Sequence, residues 1–543
     1  MVSDIDPETS KNHLENGENG TKYEKKPNII EKSFTTTINS FSNTFAQLER
    51  IFGFLVKPVV IIGLLVLYHG FLVAAGIHNF RKAAPLIYIT LFFWLCFIVV
   101  FIVDSELFQR FYARFTAAAE RKLSRLRFAS VIYNISLLIA VIALLIIDTI
   151  SDPSRLRGLA GYAFFLVIMF LFSNNKLKIN WGTVVSAFSL HFLVAYLILR
   201  WNTGKWLFQH IAQLIVKFLD YAQQGTAFVF GFIATPPNIC GLTPVFIFTA
   251  LQTLIYFGAV VALLFYFGVI QAVLKRLSWF MKLLVGTTGV ESMNAWGTTF
   301  LGMSEAPIML APYLGKVTAS EMHAILASGF ACTSGTVFAA YISLGACPDY
   351  LLTSSLMSAP CSLGCAKLLF PETEKTESDE EELEIGHGNK GILESLSAGA
   401  TAMMIFGYIL FPVAYLMGVT GDSEQTLRVA ELMGTKTIVN EFVAYKEMGE
   451  MQTKNQLLPR SAMIATYALC GFSNICSMGM QIETLGALAP AKKSIIVDVV
   501  VRALMAGAIA CFMNATVAGI LIDNPTFCTV GSGNNGTCFA IPS

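Results

Sequence analysis

Apolar runs long enough to cross a bilayer recur along this chain, separated by short polar or basic breaks. About 20 apolar residues carry a helix through the hydrocarbon core. By that measure spans are predicted near 55–77, 84–103, 129–147, 159–173, 181–199, 243–270, 320–346, 350–370, 398–418, 459–482 and 495–522. Two further stretches have helical periodicity without a continuous apolar surface. In 205–221, Leu207, Ile211, Leu214, Ile215 and Phe218 fall on one face, with Lys205, Gln209, Gln213 and Lys217 on another. In 271–284, Lys275, Arg276 and Lys282 oppose Leu274, Leu277 and Met281. Such stripes predict helices lying at a membrane interface. The expected fold class is an all-α polytopic membrane protein with about 11 spanning helices.

Two stretches interrupt this pattern with carboxylates among small and polar residues: GTTGVESMNAWGTTFLGMSEAP at 286–307 and GTKTIVNEFVAY at 434–445. A carboxylate is costly in hydrocarbon, so Glu291, Glu305 and Glu441 are expected to face a protein-lined cavity that binds a solute. Interrupted apolar segments in corresponding parts of two halves point to the binding site of a secondary transporter. Both stretches are therefore read as re-entrant hairpins.

Charge fixes an orientation for these elements. The loop 104–128 carries Arg110, Arg114, Arg121, Lys122, Arg125 and Arg127 and is expected in the cytoplasm. Two spans precede it, which places the N-terminus inside. Alternating onward puts 371–395, Lys492 and Lys493 inside and the C-terminal tail outside, so the two hairpins insert from opposite sides, as an inverted repeat requires. Residues 1–50 are polar, lack the apolar core of a secretory signal, and are expected to form a disordered cytoplasmic tail.

Composition agrees with the class: 55% of residues are apolar and only 13% charged, which no soluble domain matches. A net charge of +1, with basic residues dispersed and forming no stripe, argues against nucleic acid as a partner. No HExxH, GxSxG or paired-Asp motif stands in a suitable context, so an intramembrane enzyme is not indicated. Of the 11 cysteines, Cys96, Cys332, Cys361, Cys365, Cys470 and Cys511 lie in apolar runs and read as small buried residues. Cys361 and Cys365 share a helix face, but no further ligand cluster accompanies them to make a metal site. Cys528 and Cys538 flank the sequon Asn535-Gly536-Thr537 in a polar tail, which points to an extracellular disulfide and a glycan on Asn535.

Several longer motifs carry a family resemblance: TTGVESMNAWGTTFLGMSEAPIMLAPYL, AAYISLG at 339–345, MSAPCSLGCAKLLFPETEK at 357–375, KTIVNEFVAY at 436–445 and ATYALCGFSNICSMG at 465–479. In that order they resemble the concentrative nucleoside transporter family over about residues 175–522. The resemblance implies a homotrimer in the plasma membrane, each protomer having a scaffold and a mobile transport domain with two hairpins and two partly unwound helices. It further implies ion-coupled symport of nucleosides, with sodium as the coupling ion and no other cofactor. The domain reading is then N-terminal helices at 51–175, a transporter core at 176–522 and an extracellular tail at 523–543. Within the core, a first repeat covers about 243–370 with its hairpin at 286–315, and a second about 398–522 with its hairpin at 426–448.

Residue by residue, the family's G-Q-T-E run corresponds to Gly302-Met303-Ser304-Glu305. Met303 and Ser304 stand where the family reads the nucleobase, with Glu305 holding the polar network. Glu441 in NEFVAY, and Asn474 and Ser477 in FSNICS, match the ribose-binding group. Thr298, Leu301, Thr333 and Ser334 are the sodium candidates. Plainer roles stand beside these: Glu441 paired with Lys436, Glu305 or Glu291 serving the hairpin alone, and Asn474 with Ser477 making an interhelical hydrogen bond.

Two positions and one stretch depart from the family pattern. Met303 replaces a glutamine and offers no firm hydrogen bond to a base. Thr298 replaces an asparagine, offering a hydroxyl and a carbonyl to a hard cation where the family offers an amide. Most of one helix is missing before residue 403, so the second hairpin keeps its orientation only if 398–418 spans; that stretch has about 21 uncharged residues and is long enough, despite Pro412. These departures leave two alternatives open: proton coupling through Glu305 or Glu441, whose charged forms burial disfavours, and a transport-deficient sensor or assembly partner.

Overall fold

A computed structural model of the chain describes residues 62–80, scattered positions from 83 to 94, 136–145, 155, 157–231, 252–374, 409–420, 422–523 and 525. The chain divides into two compact units, Met1–Cys96 and Phe97–Ser543. In the first, the helix Ile62–His78 carries Tyr68, whose hydroxyl pairs with that of Thr90 at 2.6 Å, and His69, which accepts from the indole of Trp94 at 2.8 Å. The second holds the elements that build the site.

After the short apolar helix Ser136–Leu145, the second unit runs through α1 (Arg157–Leu171), α2 (Trp181–Leu199), α3 (Asn202–Phe230), α4 (Gln252–Tyr266) and α5 (Val269–Val285). The first hairpin follows, with α6 (Gly289–Phe300) as one arm and α7 (Glu305–Met309) with α8 (Ala311–Leu314) as the other. Next come α9 (Ala319–Ala331), a break, a short turn leading into α10 (Phe338–Ser343), and the long α11 (Pro348–Leu369). The same order then recurs. A second hairpin of α12 (Ser423–Ile438) and α13 (Glu441–Thr453) precedes α14 (Pro459–Leu469), a break, α15 (Ile475–Leu488), and the long α16 (Lys493–Leu521). There is no strand among the described residues.

Helix boundaries follow the local sequence. Thr288 with Glu291, and Thr318 with Glu321, form capping boxes at the starts of α6 and α9. Asn440 and Asn474 cap α13 and α15 by accepting from the backbone N–H groups of Val443 and Ser477. Pro348 and Pro459 open α11 and α14, where a missing N–H costs nothing.

In lipid no hydrophobic force drives helices together, so packing relies on close backbone approach through small residues. Gly507 of α16 lies against α9: a Cβ there would sit 2.5 Å from the Phe330 Cβ. Gly364 does the same for α11 on α2, where a Cβ would meet the Phe188 ring at 2.9 Å. The helices α9, α11 and α16 pack against one another, with α2 along α11 and α14 along α16.

Two described helices, Trp181–Leu199 and Pro490–Leu521, are long and apolar enough to cross a membrane. A third qualifies if the pair Ile255–Phe265 and Val269–Val285, bent by 76°, counts as one span. The expected spans near 320–346 and 459–482 are each interrupted, after Ala331 and after Leu469. The amphipathic stretches 205–221 and 271–284 lie within α3 and α5. The second hairpin is longer than the expected 426–448, its arms running from Ser423 to Thr453. Of the expected span 398–418, residues 398–408 lie outside the described residues, as do the N-terminal tail, the basic loop 104–128, and Asn535, Cys528 and Cys538.

Candidate functional site

The two hairpins end in related turns. In the first, α6 closes at Phe300 and α7 opens at Glu305; in the second, α12 closes at Ile438 and α13 opens at Glu441. Each glutamate is thus the first residue of a returning arm, where the N-terminal backbone dipoles favour a negative charge.

At the second tip, Glu441 is 3% exposed and bonded through both oxygens. Its Oε1 accepts from the Tyr341 hydroxyl at 3.1 Å, and its Oε2 from the Asn474 amide at 2.8 Å. The Asn474 Oδ1 accepts from the Ser477 backbone N–H at 2.7 Å. Asn474 is therefore held at both ends, and the cap of α15 becomes a link to the hairpin. A carboxylate has about four lone-pair sites, so Glu441 retains capacity for hydroxyl donors beyond the two bonds it makes here.

At the first tip, Gly302 has φ +107°, in the region that favours glycine. A Cβ on it would lie 2.9 Å from Glu305 Oε2 and 3.0 Å from Ser334 Oγ, so both oxygens close around this turn. Ser334 Oγ donates to the Leu301 carbonyl at 2.8 Å, tying the tip to the break after α9. Met303 is buried, and its backbone carbonyl accepts from Gln481 Nε2 at 3.0 Å. Ser304 and Glu305 are half-buried.

The two helix breaks meet between these tips. Thr333 Oγ1 lies 3.3 Å from Cys470 Sγ and 3.1 Å from Ser355 Oγ. Gly471, with φ +144°, would place a Cβ 2.5 Å from Cys511 Sγ and 2.8 Å from the Phe330 carbonyl. Cys511 in turn donates to the carbonyls of Cys470 and Ala331, at 2.9 and 3.5 Å. Only a residue without a side chain lets the second break cross the first this closely.

The predicted residues thus fall into distinct groups. Leu301, Ser334 and Glu305 come together at the first tip, and Glu441, Asn474 and Ser477 at the second. Thr298 donates to the Ala295 carbonyl of its own helix, and Thr333 faces Ser355 and Cys470, so neither hydroxyl is bonded to Leu301 or Ser334. The pairing of Glu441 with Lys436 weighed from sequence is replaced by other bonds: the Lys436 ammonium, 1% exposed, donates to the Ala468 carbonyl at 2.8 Å.

Glu291 serves the scaffold. It completes the Thr288 capping box and pairs with Lys367 at 2.7 Å; Lys367 also donates to Ser320 Oγ and lies 3.6 Å from Glu372. The base of the first hairpin is thereby locked to α11.

Two residues in these groups, Tyr341 and Gln481, carry contacts that sequence reasoning had not assigned. Tyr341 lies in the AAYISLG motif without a charge to draw notice. Gln481 did leave a signal: Asn474, Ser477 and Gln481 are spaced 0, 3 and 7, one face of a helix in an otherwise apolar run.

Comparison with known proteins places the chain in a family. Residues 160–233 and 398–519 match family profiles described as Na+ dependent nucleoside transporter N-terminus and C-terminus, and 247–347 match one described as nucleoside recognition. Sodium/nucleoside cotransporter 2 of Rattus norvegicus is 32% identical over 521 residues, covering 85% of this chain and 77% of that protein. Solute carrier family 28 member 3 of Homo sapiens is 33% identical over 524 residues, covering 85% and 74%. Among solved structures, CNTnw in an inward-facing substrate-bound state superposes with a TM-score of 0.61 at 27% identity, covering 68% of this chain and 98% of that one. A substituted CNTnw in an outward-facing state gives 0.62 with the same coverage. The fold is accordingly the all-α inverted-repeat transporter fold with two hairpins, and the chain is a membrane transporter, not an enzyme. By these matches, carried over most of its length, the chain belongs to the sodium-dependent nucleoside transporter family.

Proposed function

We propose that this protein is a sodium-coupled nucleoside symporter of the plasma membrane, working by alternating access. The observation that carries the reading is the buried bond between Glu441 and Asn474, which joins the second hairpin tip to the break between α14 and α15. A carboxylate and an amide fixed side by side in a membrane interior suit a polyhydroxylated solute, and the ribose of a nucleoside fits that description. Glu441, Asn474 and Ser477 are assigned to the ribose. Met303, Ser304 and Glu305 at the first tip are assigned to the base side. The relatives named as sodium/nucleoside cotransporters, and neighbours captured in inward- and outward-facing states, support both solute and mechanism.

Sodium is assigned to the first tip and the break after α9. The Leu301 carbonyl, Ser334 hydroxyl, and backbone or hydroxyl oxygens of Thr298 and Thr333 are hard oxygen donors. Binding there would order the tip on which the solute then closes. No covalent chemistry is required, because one charge crossing 100 mV supplies about 2.3 kcal/mol.

The wider architecture is assigned with it. The N-terminus and residues 1–50 are cytoplasmic, 51–175 forms accessory helices, and 176–522 forms the transporting core. The first repeat covers about 243–370 and the second about 398–522, with 398–418 spanning. The tail 523–543 is extracellular, with Asn535 glycosylated and Cys528 bonded to Cys538. Three copies assemble in the membrane.

The test is uptake of labelled uridine and adenosine into cells or vesicles carrying the protein, with sodium replaced by choline, at two pH values. Saturable uptake lost in choline is the expected result. Uptake indifferent to sodium but raised by acid would overturn sodium coupling, and absence of uptake under every condition would overturn transport itself.

A further inference from the structure

On the nucleoside reading above, we infer that Gln481 is a specificity-determining residue that supplies the hydrogen-bond acceptor for the base. Gln481 is 1% exposed and lies two turns along α15 from Asn474, on the same face as Asn474 and Ser477. Its Nε2 donates to the Met303 carbonyl at 3.0 Å, while its Oε1 is buried and makes no hydrogen bond. The amide cannot turn over, because that would set its oxygen against the Met303 carbonyl. The unbonded atom is therefore an acceptor, and a buried acceptor without a partner is an unfavourable arrangement that a ligand N–H relieves.

The surroundings make room for this amide. Gly329 of α9 faces it, and a Cβ there would lie 2.6 Å from Gln481 Nε2 and 3.2 Å from Met303 Cβ. The Met303 side chain has no firm donor or acceptor, and its carbonyl is occupied by Gln481. Beside Ser304 and Glu305, a further acceptor at this tip thus comes from across the repeat. Seven residues of helix place Gln481 about 10 Å along the axis from Asn474, comparable with the length of a nucleoside from its sugar hydroxyls to the far edge of its base. A sugar held at Asn474 and Glu441 would bring that edge to Gln481. The partner that fits is the exocyclic amino group of adenine or cytosine.

The experiment compares nucleosides with analogues from which only that amino group is missing: adenosine against purine riboside, and cytidine against its 4-deamino analogue. Each competes for labelled nucleoside uptake, with direct binding to the purified protein measured in parallel. The wild-type protein is expected to favour the amino-bearing member of at least one pair by about five- to tenfold. In Gln481→Leu, or in Gln481→Met with its matched length, that preference falls to about one. A wild-type preference already near one would overturn the inference without any variant. So would a preference unchanged in either variant while all four compounds weaken in parallel, the result for a strut that only braces the hairpin. If the wild-type protein neither transports nor binds nucleosides, the nucleoside reading fails and this inference with it. Normal wild-type uptake with an unaltered preference in the variants sinks this inference alone.

Discussion

Replacing Glu441 by Gln keeps the shape of the second tip and removes its charge. In the folded protein the change is tolerable. The Tyr341 hydroxyl rotates and can accept from an N–H of the introduced amide instead of donating, whereas Asn474 must go on donating because its Oδ1 is fixed on the Ser477 N–H. The substituted amide therefore has one orientation that satisfies both neighbours. A solute feels a larger effect. Hydrogen bonds to a charged acceptor contribute about 1.5–3 kcal/mol and neutral ones about 0.5–1.5, so each sugar hydroxyl on the carboxylate loses about 1–1.5 kcal/mol. Two hydroxyls lose about 2–3 kcal/mol, or roughly 30- to 150-fold in affinity, at 1.4 kcal/mol per factor of ten. The assay is the concentration dependence of labelled uridine uptake at matched surface expression, repeated with a 2′,3′-dideoxynucleoside. The expected outcome is a KM raised by that factor for uridine and nearly unchanged for the dideoxy compound. Equal losses for both, or an unaltered KM for uridine, would refute the ribose assignment.

Further expectations follow from the first hairpin. Ser334→Ala removes the hydroxyl that fixes the Leu301 carbonyl; the sodium concentration for half-maximal uptake should rise several-fold, and an unchanged sodium dependence would remove Ser334 from the ion site. Lys367→Met strips Glu291 of its cation in a buried setting and should cost about 3–5 kcal/mol of stability, read as an earlier thermal unfolding in detergent. Adding Glu291→Gln should recover part of that loss, because no charge is then left uncompensated; a double variant no more stable than the single would show that the pair does not brace the hairpin.

Much of this protein is legible in its sequence. Apolar runs located α1, α2, α11 and α16 to within about two residues, because a membrane helix must be both long and apolar and both properties are local. The carboxylates marked the hairpins for the same reason. Breaks in α9–α10 and α14–α15 were expected from resemblance, yet periodicity alone read straight through them, since Gly471 and Ser473 interrupt an apolar run without a charge. What stayed hidden was pairing. Nothing near Glu441 in sequence indicates that its partners are Tyr341, 100 residues earlier, and Asn474, 33 residues later. Lys436 is the nearer charge in sequence, but its ammonium donates to the Ala468 carbonyl. Gln481 was readable from its spacing, but its contact with Met303 crosses 178 residues and exists only once the two repeats are interleaved.

Because α15 holds Glu441 through Asn474 and the Met303 carbonyl through Gln481, the two hairpin tips share one rigid element. Occupancy at either tip therefore changes the free energy of ordering the other. Linkage of this kind is reciprocal: on the proposed assignment, by whatever factor an ion at the first tip tightens the hold on a solute at the second, the solute tightens the hold on the ion. A single helix of 14 residues is in that sense the protein's thermodynamic gearing, setting how tightly the load is matched to its drive.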